Sequence, residues 1–321
     1  MTPSLIRPIT LGKITFPTNL IQAPLAGISC APFRERIWQF GGVAYCATEM
    51  ISAKTLLNRP KKRYTYKSMA EGPLCFQLSG NHPNELANAA NIALEHHADL
   101  IDLNCGCPVD KIRKKGCGSR LLQDSQQLYR LIKAIKVQTS VPLSAKIRVD
   151  GTSGDHFNTD VVKAIEDAGA DFIVVHGRHW TEHYETAVRL DEIATIVAAV
   201  HIPVIGNGDV TDYTALKRMF TTTGCQGVMI GRASVGKPWL FALLQAEDRN
   251  EPFMIPTREH IHALLLKHIE DLSQLENEAH ALLQARTLTK YYLRAAGLRP
   301  ETYAHLHTIT RLDELKNIHL D

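Results

Sequence analysis

The order of hydrophobic and polar residues along this chain predicts a repeated strand–helix unit. Eight short runs of apolar and β-branched residues have the length and composition of buried strands. They cover residues 20–25, 43–49, 73–78, 100–104, 142–148, 172–178, 202–209 and 227–232. Segments of helical periodicity, such as residues 84–98 and 159–170, separate the runs, and several end in Gly or Ala just before the next strand.

Nearly continuous apolar strands that alternate with helices are typical of a parallel sheet covered on both faces. Eight such units predict an α/β protein of the (β/α)8 TIM-barrel class, whose usual size is about 250 residues. A doubly wound sheet is the alternative, and its nucleotide-binding form carries a G-x-G-x-x-G loop. Residues 116–121 (GCGSRL) and 206–211 (GNGDVT) both lack the third glycine, so the pattern favours the barrel.

The two ends of the chain depart from this repeat. Residues 9–19 have the pattern of a small hairpin with Gly12 and Lys13 at its turn, which we expect to plug the barrel floor. Beyond the eighth strand only helical periodicity remains, in residues 257–275, 277–296 and 309–319. We therefore predict a barrel with its hairpin over residues 1–244 and a separate helical domain over residues 245–321.

Composition limits the class of protein without identifying a partner. The chain has 321 residues, is 45% hydrophobic and 21% charged, and carries a net charge of +3, as is ordinary for a soluble globular protein. No signal-peptide pattern opens it and no apolar run approaches membrane-spanning length. We expect a cytoplasmic protein with no membrane association. Nothing in the sequence demands more than a monomer. Seven cysteines, an odd number, argue against a disulfide framework.

Polar residues follow nearly every predicted strand. In a TIM barrel the active site lies where the strands meet their following loops. These ends carry Pro24, Glu49, Gln77, Asn104 with Cys107, Lys146 with Arg148, His176 with Arg178, Asn207 with Asp209, and Arg232. A charged side chain on a buried strand is costly unless something compensates it. So many convergent polar ends therefore predict a bound polar ligand.

The last two strand ends have features of a phosphate site. Loops after the seventh and eighth strands of such barrels commonly bind phosphate through the backbone. Gly206, Gly208 and Gly231 would let the backbone approach a ligand, and Arg232 supplies positive charge. Lys146 and His176 would then lie deeper, facing the ring of a cofactor whose phosphate is held there. Tight turns explain either glycine loop alone, but they explain both together less well.

Cys107 has three interpretations. Most cysteines are buried structural thiols. A metal site with Cys105 and Cys117 would use C-x-C-x₉-C spacing, which differs from the usual paired C-x₂-C of zinc sites. A catalytic thiol is the third interpretation, because an ordinary cysteine is mostly protonated at neutral pH and can donate a proton. The position of Cys107 after a strand, beside Asn104, favours that role, and we predict no metal.

Two loops that follow strands two and four are strongly basic. Residues 54–67 hold six Lys/Arg and no acid, interleaved with Tyr64 and Tyr66, and residues 111–120 hold five more. Cation density of this kind binds phosphate backbones without regard to sequence. In the tail, three basic residues lie on one helix face, at positions 286, 290 and 294, where a solvated face is an equally good explanation.

Taken in order, these motifs resemble those of the bacterial tRNA-dihydrouridine synthases. The resemblance rests on APLAG, TEM, CFQLSG, DLNCGCP, AKIR, VHGR, IGNGD and MIGRA, at residues 23–27, 48–50, 75–80, 102–108, 145–148, 175–178, 205–209 and 229–233. It covers nearly the whole chain, including the helical tail. The GCP that follows a strand is its most specific element, and Cys105 adds a second thiol beside it.

The resemblance implies an FMN-bound barrel that uses NADPH to reduce a uridine in the D-loop of tRNA to 5,6-dihydrouridine. Hydride would pass from reduced FMN to C6 of the uracil, and Cys107 would protonate C5. Asn104, Arg148 and Arg178 would line the uracil pocket. The residues expected to contact FMN are Pro24, Leu25, Ala26, Gln77, Lys146, His176, Asn207, Gly208, Asp209, Gly231 and Arg232.

Two other functions compete with this one. A flavin barrel acting on a small metabolite, of the dihydroorotate dehydrogenase or ene-reductase type, would need no basic loops. A non-catalytic RNA-binding protein on the same barrel would bind RNA without the proposed cofactor site. We rank the small-metabolite enzyme second.

Overall fold

A computed structural model of the protein describes residues 4–149, 159–299, 301 and 308–316. Its first element is an antiparallel hairpin of β1 (Ile9–Leu11) and β2 (Ile14–Phe16), joined by the predicted Gly12–Lys13 turn. Gly12 has φ of +56°, a conformation that favours glycine in two-residue hairpin turns. The apolar side chains of the hairpin pack into the barrel interior, beside Tyr45 and Phe172.

Parallel strands form a closed barrel, as predicted. They are β3 (Leu20–Gln22), β4 (Cys46–Ala47), β5 (Ile51–Ser52), β6 (Leu74–Ser79), β7 (Leu100–Cys105), β8 (Leu143–Arg148), β9 (Phe172–His176), β10 (Val204–Asn207) and β11 (Gly227–Ile230). Both β4 and β5 pair with β6, so these two pieces are one interrupted barrel strand. We predicted one strand over residues 43–49. In the structure β4 is shorter, and the strand resumes as β5 after a bulge that contains Glu49.

Helices cover the outside of the barrel, and two one-turn helices lie in loops that follow strands. They are α1 (Ala31–Phe40), α2 (Ala53–Asn58), α3 (Lys62–Thr65), α4 (Pro83–Glu95), α5 (Asp110–Arg113), α6 (Ser125–Gln138), α7 (Thr159–Asp167), α8 (Leu190–Ala199), α9 (Tyr213–Thr223) and α10 (Leu240–Arg249). The one-turn helices are α3 and α5. Two short 3₁₀ helices span Gly118–Gln123 and Arg232–Ser234. Asp124 and Asp212 cap α6 and α9 by accepting hydrogen bonds from backbone N–H groups, which otherwise lack partners in the first helical turn.

The C-terminal region is helical, as predicted. It contains α11 (Arg258–Leu275), α12 (Glu278–Ala295) and α13 (Leu312–Lys316), and residues 317–319 of the predicted third helix lie outside the described part of the chain. The predicted division at residues 244 and 245 falls inside α10, which is the helix that follows the eighth barrel strand. The helical region proper therefore begins after Asn250, which ends α10 in the left-handed conformation.

The helical region packs directly on the barrel. His268 of α11 lies against the ring of Phe33 in α1, with 6.3 Å between ring centroids, and Arg36 pairs with Asp271 at 2.9 Å. Gly236, in the segment after β11, has φ of +73°, and a Cβ there would collide with the backbone of Tyr291 in α12. Glycine thus permits the close approach that places α12 beside the carboxyl ends of the strands.

Candidate active site

The carboxyl ends of the barrel strands open into a cavity of about 750 Å³, a size within the range of small-molecule and cofactor sites. Glu49 and Gly206, from the predicted strand ends, do not line it. Every residue predicted to contact FMN or the uracil, together with Cys107, does line it. They are Cys107, Pro24, Leu25, Ala26, Gln77, Lys146, His176, Asn207, Gly208, Asp209, Gly231, Arg232, Asn104, Arg148 and Arg178. The barrel therefore brings together side chains that follow different strands, and the role of each can be argued from its neighbours.

Cys107 lies in the loop between β7 and α5. Of the seven cysteines, all within the described residues, it is the one whose side chain is not buried. The backbone N–H of Ser119 donates to the carbonyl of Cys107 at 3.0 Å. Gly118 has φ of +62°, and a Cβ there would lie 2.6 Å from that carbonyl oxygen. Only glycine fits at position 118, and this packing holds the loop that presents the thiol.

Asn104 connects this loop to the end of β7. Its Oδ1 accepts a hydrogen bond from the backbone N–H of Cys107 at 3.0 Å, and its Nδ2 donates to Oε1 of Gln77 at 2.9 Å. The neighbouring Cys105 points away, into the apolar layer between strands and helices. Burial raises the pKa of the Cys105 thiol well above its usual value. The geometry therefore favours Cys107 over Cys105 as the thiol available to a ligand.

A buried carboxylate underlies these amides, and the sequence patterns did not reveal it. Asp102 accepts hydrogen bonds from Nε2 of Gln77 at 2.7 Å and from Oγ of Ser144 at 2.6 Å. Its side chain is 4% exposed. Burial raises the pKa of Asp102, opposed by these two hydrogen bonds and by the charge of Lys146. The sequence does carry a signal for Asp102: polar residues at alternate positions, 102 and 104 on β7 and 144 and 146 on β8, which place their side chains on the same face of the sheet.

Lys146 extends from β8 into the middle of the site. Its Nζ donates to Oδ1 of Asn207 at 2.9 Å, and Nδ2 of Asn207 donates to the carbonyl of Met229 at 2.8 Å. These contacts tie the amide of Asn207 on β10 both to β11 beside it and to β8, which lies on the far side of β9. Burial lowers the pKa of Lys146, while Asp102 acts in the opposite direction. The ammonium group therefore lies in a low-dielectric site where its charge acts strongly on a ligand.

His176 is neutral in this environment. Burial and the nearby cations, among them Lys146 and Arg148, hold its pKa well below the usual value. Nη1 of Arg178 lies 3.2 Å from Nε2 of His176. Because a guanidinium only donates, Nε2 must be the acceptor, and the imidazole proton is therefore on Nδ1.

Arg178 anchors the loop that follows β9. It is 1% exposed, and besides the bond to His176 it donates to the carbonyls of Tyr184 and Thr186 and to the carboxylate of Asp209. These contacts use most of its donors. The guanidinium of Arg232 stacks on the ring of Tyr184, 3.8 Å from its centroid. Tyr184, which the sequence patterns missed, therefore forms part of the cavity wall.

The loop after β10 has an unusual backbone. Gly208 has φ of +126°, and a Cβ there would lie 2.6 Å from Cγ2 of Val188 and 3.1 Å from the ring of His176. Asp209, the next residue, also has a positive φ, of 51°. A conformation of this kind brings the backbone close to the cavity and excludes a side chain at position 208.

Positive charge dominates the cavity wall. Lys146, Arg148, Arg178 and Arg232 line it, against the single carboxylate of Asp209 among the described lining residues. Arg148 is 5% exposed, donates to the carbonyl of His179 at 2.9 Å, and has its pKa lowered chiefly by burial. An anionic ligand is the natural complement of this set.

Comparison with known proteins identifies the family. The family described as dihydrouridine synthase (Dus) matches residues 21–318 of this chain. The chain belongs to the dihydrouridine synthase family. It is 32% identical to the tRNA-dihydrouridine synthase B of Pseudomonas putida over 289 residues, covering 89% of this chain and 85% of that protein. The tRNA-dihydrouridine synthase B of Vibrio parahaemolyticus is also 32% identical, with 88% and 89% covered.

A third relative carries the name probable tRNA-dihydrouridine synthase, in Rhizobium leguminosarum, with 30% identity over 86% of this chain and 85% of that protein. Among solved structures, histamine dehydrogenase from Rhizobium sp. 4-9 shares the fold, with a TM-score of 0.57 and 15% sequence identity. That match covers 83% of this chain and 50% of the histamine dehydrogenase chain, so this chain spans about half of it. At this identity only the barrel fold is shared.

Membership of the dihydrouridine synthase family decides between the competing functions. The chain is a flavin-dependent oxidoreductase, which excludes the non-catalytic RNA-binding protein. It also excludes the small-metabolite enzymes of the dihydroorotate dehydrogenase and ene-reductase type, which are other families. The cavity fits a flavin, because it offers a cationic wall, a glycine where a Cβ would collide and amide donors at the strand ends.

The predicted basic loop of this dihydrouridine synthase is less basic than its sequence suggests. Three of its six cations are paired with carboxylates: Lys54 with Glu85, Lys67 with Asp99, and Arg63 with both Glu49 and Glu276. Arg59, Lys61 and Lys62 remain exposed, with no ion pair to another described residue. Pairing partners distant in sequence therefore remove half of the apparent charge.

The second basic loop keeps more of its charge. Lys111, Lys114, Lys115 and Arg120 are exposed, and Arg113 stacks on the ring of Trp180 at 3.2 Å from its centroid. This loop begins two residues after the cavity-lining Val109. A cationic rim therefore borders the cavity on the side of Cys107.

Arg63 joins the barrel to the helical region. It donates to both carboxylate oxygens of Glu49, to Glu276 and, at 2.7 Å, to Oε1 of Gln284. These groups border a second cavity of about 690 Å³ between residues 61–64 and the ends of α11 and α12. The two cavities share Ala26, Ile28 and Met50 as lining residues. Arg63 is thus a structural link rather than a free cation.

Several other lining residues escaped the sequence patterns. Tyr291 reaches the main cavity from α12, and Met50 and Thr211 contribute from loops. An aromatic residue on a tail helix has no pattern that separates it from ordinary core positions. Its role depends on the close packing of α12 on the barrel.

Within the described ranges, no group of three or more His, Cys, Asp or Glu side chains is placed to hold a metal ion. Cys105 and Cys117 are buried and Cys107 faces the cavity. Likewise, none of the helices in the part of the chain that the structure describes is both long enough and apolar enough to cross a membrane.

Proposed function

We propose that this protein reduces a uridine in the D-loop of tRNA to 5,6-dihydrouridine, with FMN bound in the barrel and NADPH as the electron donor. The names of its relatives support tRNA as the substrate. The observation that carries the proposal is the convergence in one cavity of an accessible thiol, fixed amides and a cationic wall. Cationic loops beside the opening favour a polyanionic substrate.

The residues toward β10 and β11 would hold the phosphate of FMN. Asn207, Gly208, Asp209, Gly231 and Arg232 lie together there, and the guanidinium of Arg232 provides a charge complementary to phosphate. The deeper wall would face the flavin ring. Its proposed contacts are Pro24, Leu25, Ala26, Gln77, Lys146 and His176. When bound and reduced by NADPH, the flavin would supply hydride to C6 of the uracil.

Cys107 would supply the proton to C5 of the same uracil. Its thiol faces the cavity, and Asn104 holds the Cys107 backbone N–H at 3.0 Å, so the loop is fixed before substrate arrives. Asn104 and Arg148 would orient the carbonyl groups of the base. Arg178 uses most of its donors within the protein, and we assign it the positioning of the loop that carries Tyr184.

A uracil stacked in folded RNA cannot reach this cavity, so the base must be extruded. Extrusion costs a few kcal/mol, which contacts to phosphate groups and to the pocket would offset. We assign the phosphate contacts to Lys61, Lys62 and the 111–120 loop, and a further tRNA contact to the helical region after Asn250. Lys290 and Arg294 are exposed on α12, the helix that also carries Tyr291.

The direct test is anaerobic. The flavin of the purified protein is reduced with NADPH, tRNA lacking dihydrouridine is added, and the visible absorbance is followed. We expect the oxidised flavin spectrum to return rapidly with this tRNA and not with fully modified tRNA. Mass spectrometry of the released cofactor identifies it. A reduced flavin that tRNA does not reoxidise would refute the proposed substrate.

Cys107→Ala tests the proton donor, with Cys105→Ala as its matched control. We expect Cys107→Ala to bind flavin normally and to slow uridine reduction by about 10²-fold or more, the usual range for a lost general acid. Cys105→Ala removes a buried thiol of the same strand end and should keep the chemical step. Equal rates in wild type and Cys107→Ala would contradict the assignment.

A further inference from the structure

The structure assigns a positioning role to Asp102: its carboxylate sets the direction of a hydrogen-bond chain that runs through Gln77 and Asn104 to the loop of Cys107. This inference deepens the proposed function and rests on it for its meaning in catalysis. Asp102 lies on β7, two residues before Asn104, and its side chain faces the barrel interior, between Gln77 of β6 and Ser144 of β8.

The hydrogen-bond chain consists of short contacts. The three residues that lead to the Cys107 loop, Asp102, Gln77 and Asn104, are each at most 8% exposed. Nε2 of Gln77 donates to Asp102 at 2.7 Å, and Oε1 of Gln77 accepts from Nδ2 of Asn104 at 2.9 Å. Oδ1 of Asn104 then accepts from the backbone N–H of Cys107 at 3.0 Å. Each of the two amides is therefore donor on one side and acceptor on the other, while Asp102 only accepts and the Cys107 N–H only donates.

An amide can turn by 180° and exchange its donor for its acceptor, whereas an ionised carboxylate only accepts. The Asp102 carboxylate therefore forces the Nε2 group of Gln77 toward itself. Oε1 of Gln77 must then face Asn104, and Oδ1 of Asn104 must face the Cys107 loop. If Asp102 lost its charge, the amides could adopt the opposite direction, and the Cys107 backbone N–H would lose its acceptor.

This direction also decides what the amides offer to a ligand. Each carboxamide nitrogen has two hydrogens, and the chain uses one from Gln77 and one from Asn104. The second hydrogen of each remains for the cavity that both residues line. Together with Lys146, the floor of the site then presents donors, which suits a ligand with carbonyl oxygens, such as the pyrimidine edge of a flavin or a uracil.

Asp102→Asn removes the constraint with little change of shape, because an Asn side chain can face Gln77 with either its oxygen or its nitrogen. The double variant Q77E/D102N restores the constraint from the neighbouring position. A glutamate at position 77 only accepts, so it takes a hydrogen bond from the asparagine at 102 and another from Asn104. The loop of Cys107 regains its acceptor, but the donor that position 77 offered to the cavity is lost.

The readout is alkylation of Cys107 by iodoacetamide in flavin-free protein, located by mass spectrometry. The other six cysteines are buried and serve as an internal measure of folding. We expect Asp102→Asn to raise the Cys107 rate about fivefold, the change that corresponds to one hydrogen bond of about 1 kcal/mol. Q77E/D102N should return to the wild-type rate. Asp99→Asn, at the amino end of β7, should leave it unchanged.

Flavin affinity is the second readout, and it should stay weakened in Q77E/D102N although alkylation recovers. The inference is overturned if Asp102→Asn alkylates like wild type, or if the double variant behaves like Asp102→Asn. Should Asp102→Asn expose all seven cysteines, Ser144→Ala replaces it. Loss of the Ser144 hydrogen bond disfavours the charged carboxylate, so an unchanged Cys107 rate would again overturn the inference. Alkylation of Cys107 does not depend on uridine reduction. If the alkylation rates are as expected but tRNA does not reoxidise the reduced flavin, only the proposed function is refuted.

Discussion

Gly208→Ala is expected to weaken flavin binding strongly, because position 208 cannot accept a side chain. The residue has φ of +126°, where an L-residue is strained. The added methyl would also lie 2.6 Å from Cγ2 of Val188 and 3.1 Å from the ring of His176. His176 lines the cavity and Val188 packs against the apolar core, so relief of the contact would displace the loop or the imidazole.

Two terms set the size of the effect. Backbone strain of this kind costs about 1–3 kcal/mol, and overpacking of a tight site costs about 1–3 kcal/mol more. The total is therefore about 2–6 kcal/mol, shared between protein stability and ligand affinity. If about 2 kcal/mol of this total weakens FMN binding, the dissociation constant of FMN rises about 30-fold.

Quenching of FMN fluorescence on titration with apoprotein measures the affinity, and urea unfolding measures the stability. Gly41→Ala is the matched control, since Gly41 has φ of +75° but a Cβ there would meet no atom within 4 Å. We expect this control to lose about 1–3 kcal/mol of stability from strain alone and to bind FMN normally. Wild-type affinity and stability in Gly208→Ala would refute the reasoning, as would equal losses of FMN affinity in both variants.

The other predictions concern the two ends of the site. Arg63→Ala leaves two nearly buried carboxylates unpaired and should lower the free energy of unfolding, measured in urea, by about 3 kcal/mol or more. Arg311→Ala breaks an exposed ion pair and should lower it by no measurable amount. Equal losses in the two variants would contradict the role of Arg63 as a structural link. Burial lowers the pKa of His268 to about 3. Between pH 6.5 and 3 this histidine is therefore neutral in the folded protein but protonated in the unfolded chain. Its contribution should make the free energy of unfolding fall by about 1.4 kcal/mol for each pH unit in that range. His268→Phe should flatten this acid limb, and an unchanged slope would remove the assignment. Charge reversal at Lys61 and Lys62 should weaken tRNA binding and reduce its dependence on salt, with normal flavin content; an unchanged salt dependence would exclude them from the interface.

Much of the fold was predictable because its signals are local. A buried parallel strand must be apolar along most of its length, and each of the eight predicted runs overlaps a barrel strand. The interruption between β4 and β5 was not predictable, because the extra residue at the bulge follows from pairing with β6. The domain division at residues 244 and 245 stays a prediction, and it lies inside α10. The end of α10 depends on which apolar residues the barrel covers.

The candidate site was predictable as a set of residues but not as a network. Reading the strand ends in order collects the lining residues, since parallel strands in a barrel all deliver their carboxyl ends to one face. Asp102 and Ser144 lie two positions before the strand-end residues Asn104 and Lys146, inside strands, and only the hydrogen bonds of Asp102 to Gln77 and Ser144 show their importance. Tyr291 belongs to a helix whose docking no local signal specifies.

Sequence by itself determined the barrel, the residues at the strand ends and the family resemblance, because hydrophobic period and motif order are properties of consecutive residues. Only the tertiary structure decided which groups are free to act. It buried Cys105 and left Cys107 facing the cavity, paired Arg63 with Glu49 and Glu276, and made His176 an acceptor for Arg178. Charge, protonation and hydrogen-bond direction depend on neighbours that are distant along the chain, so they emerge only when the strands and helices have packed.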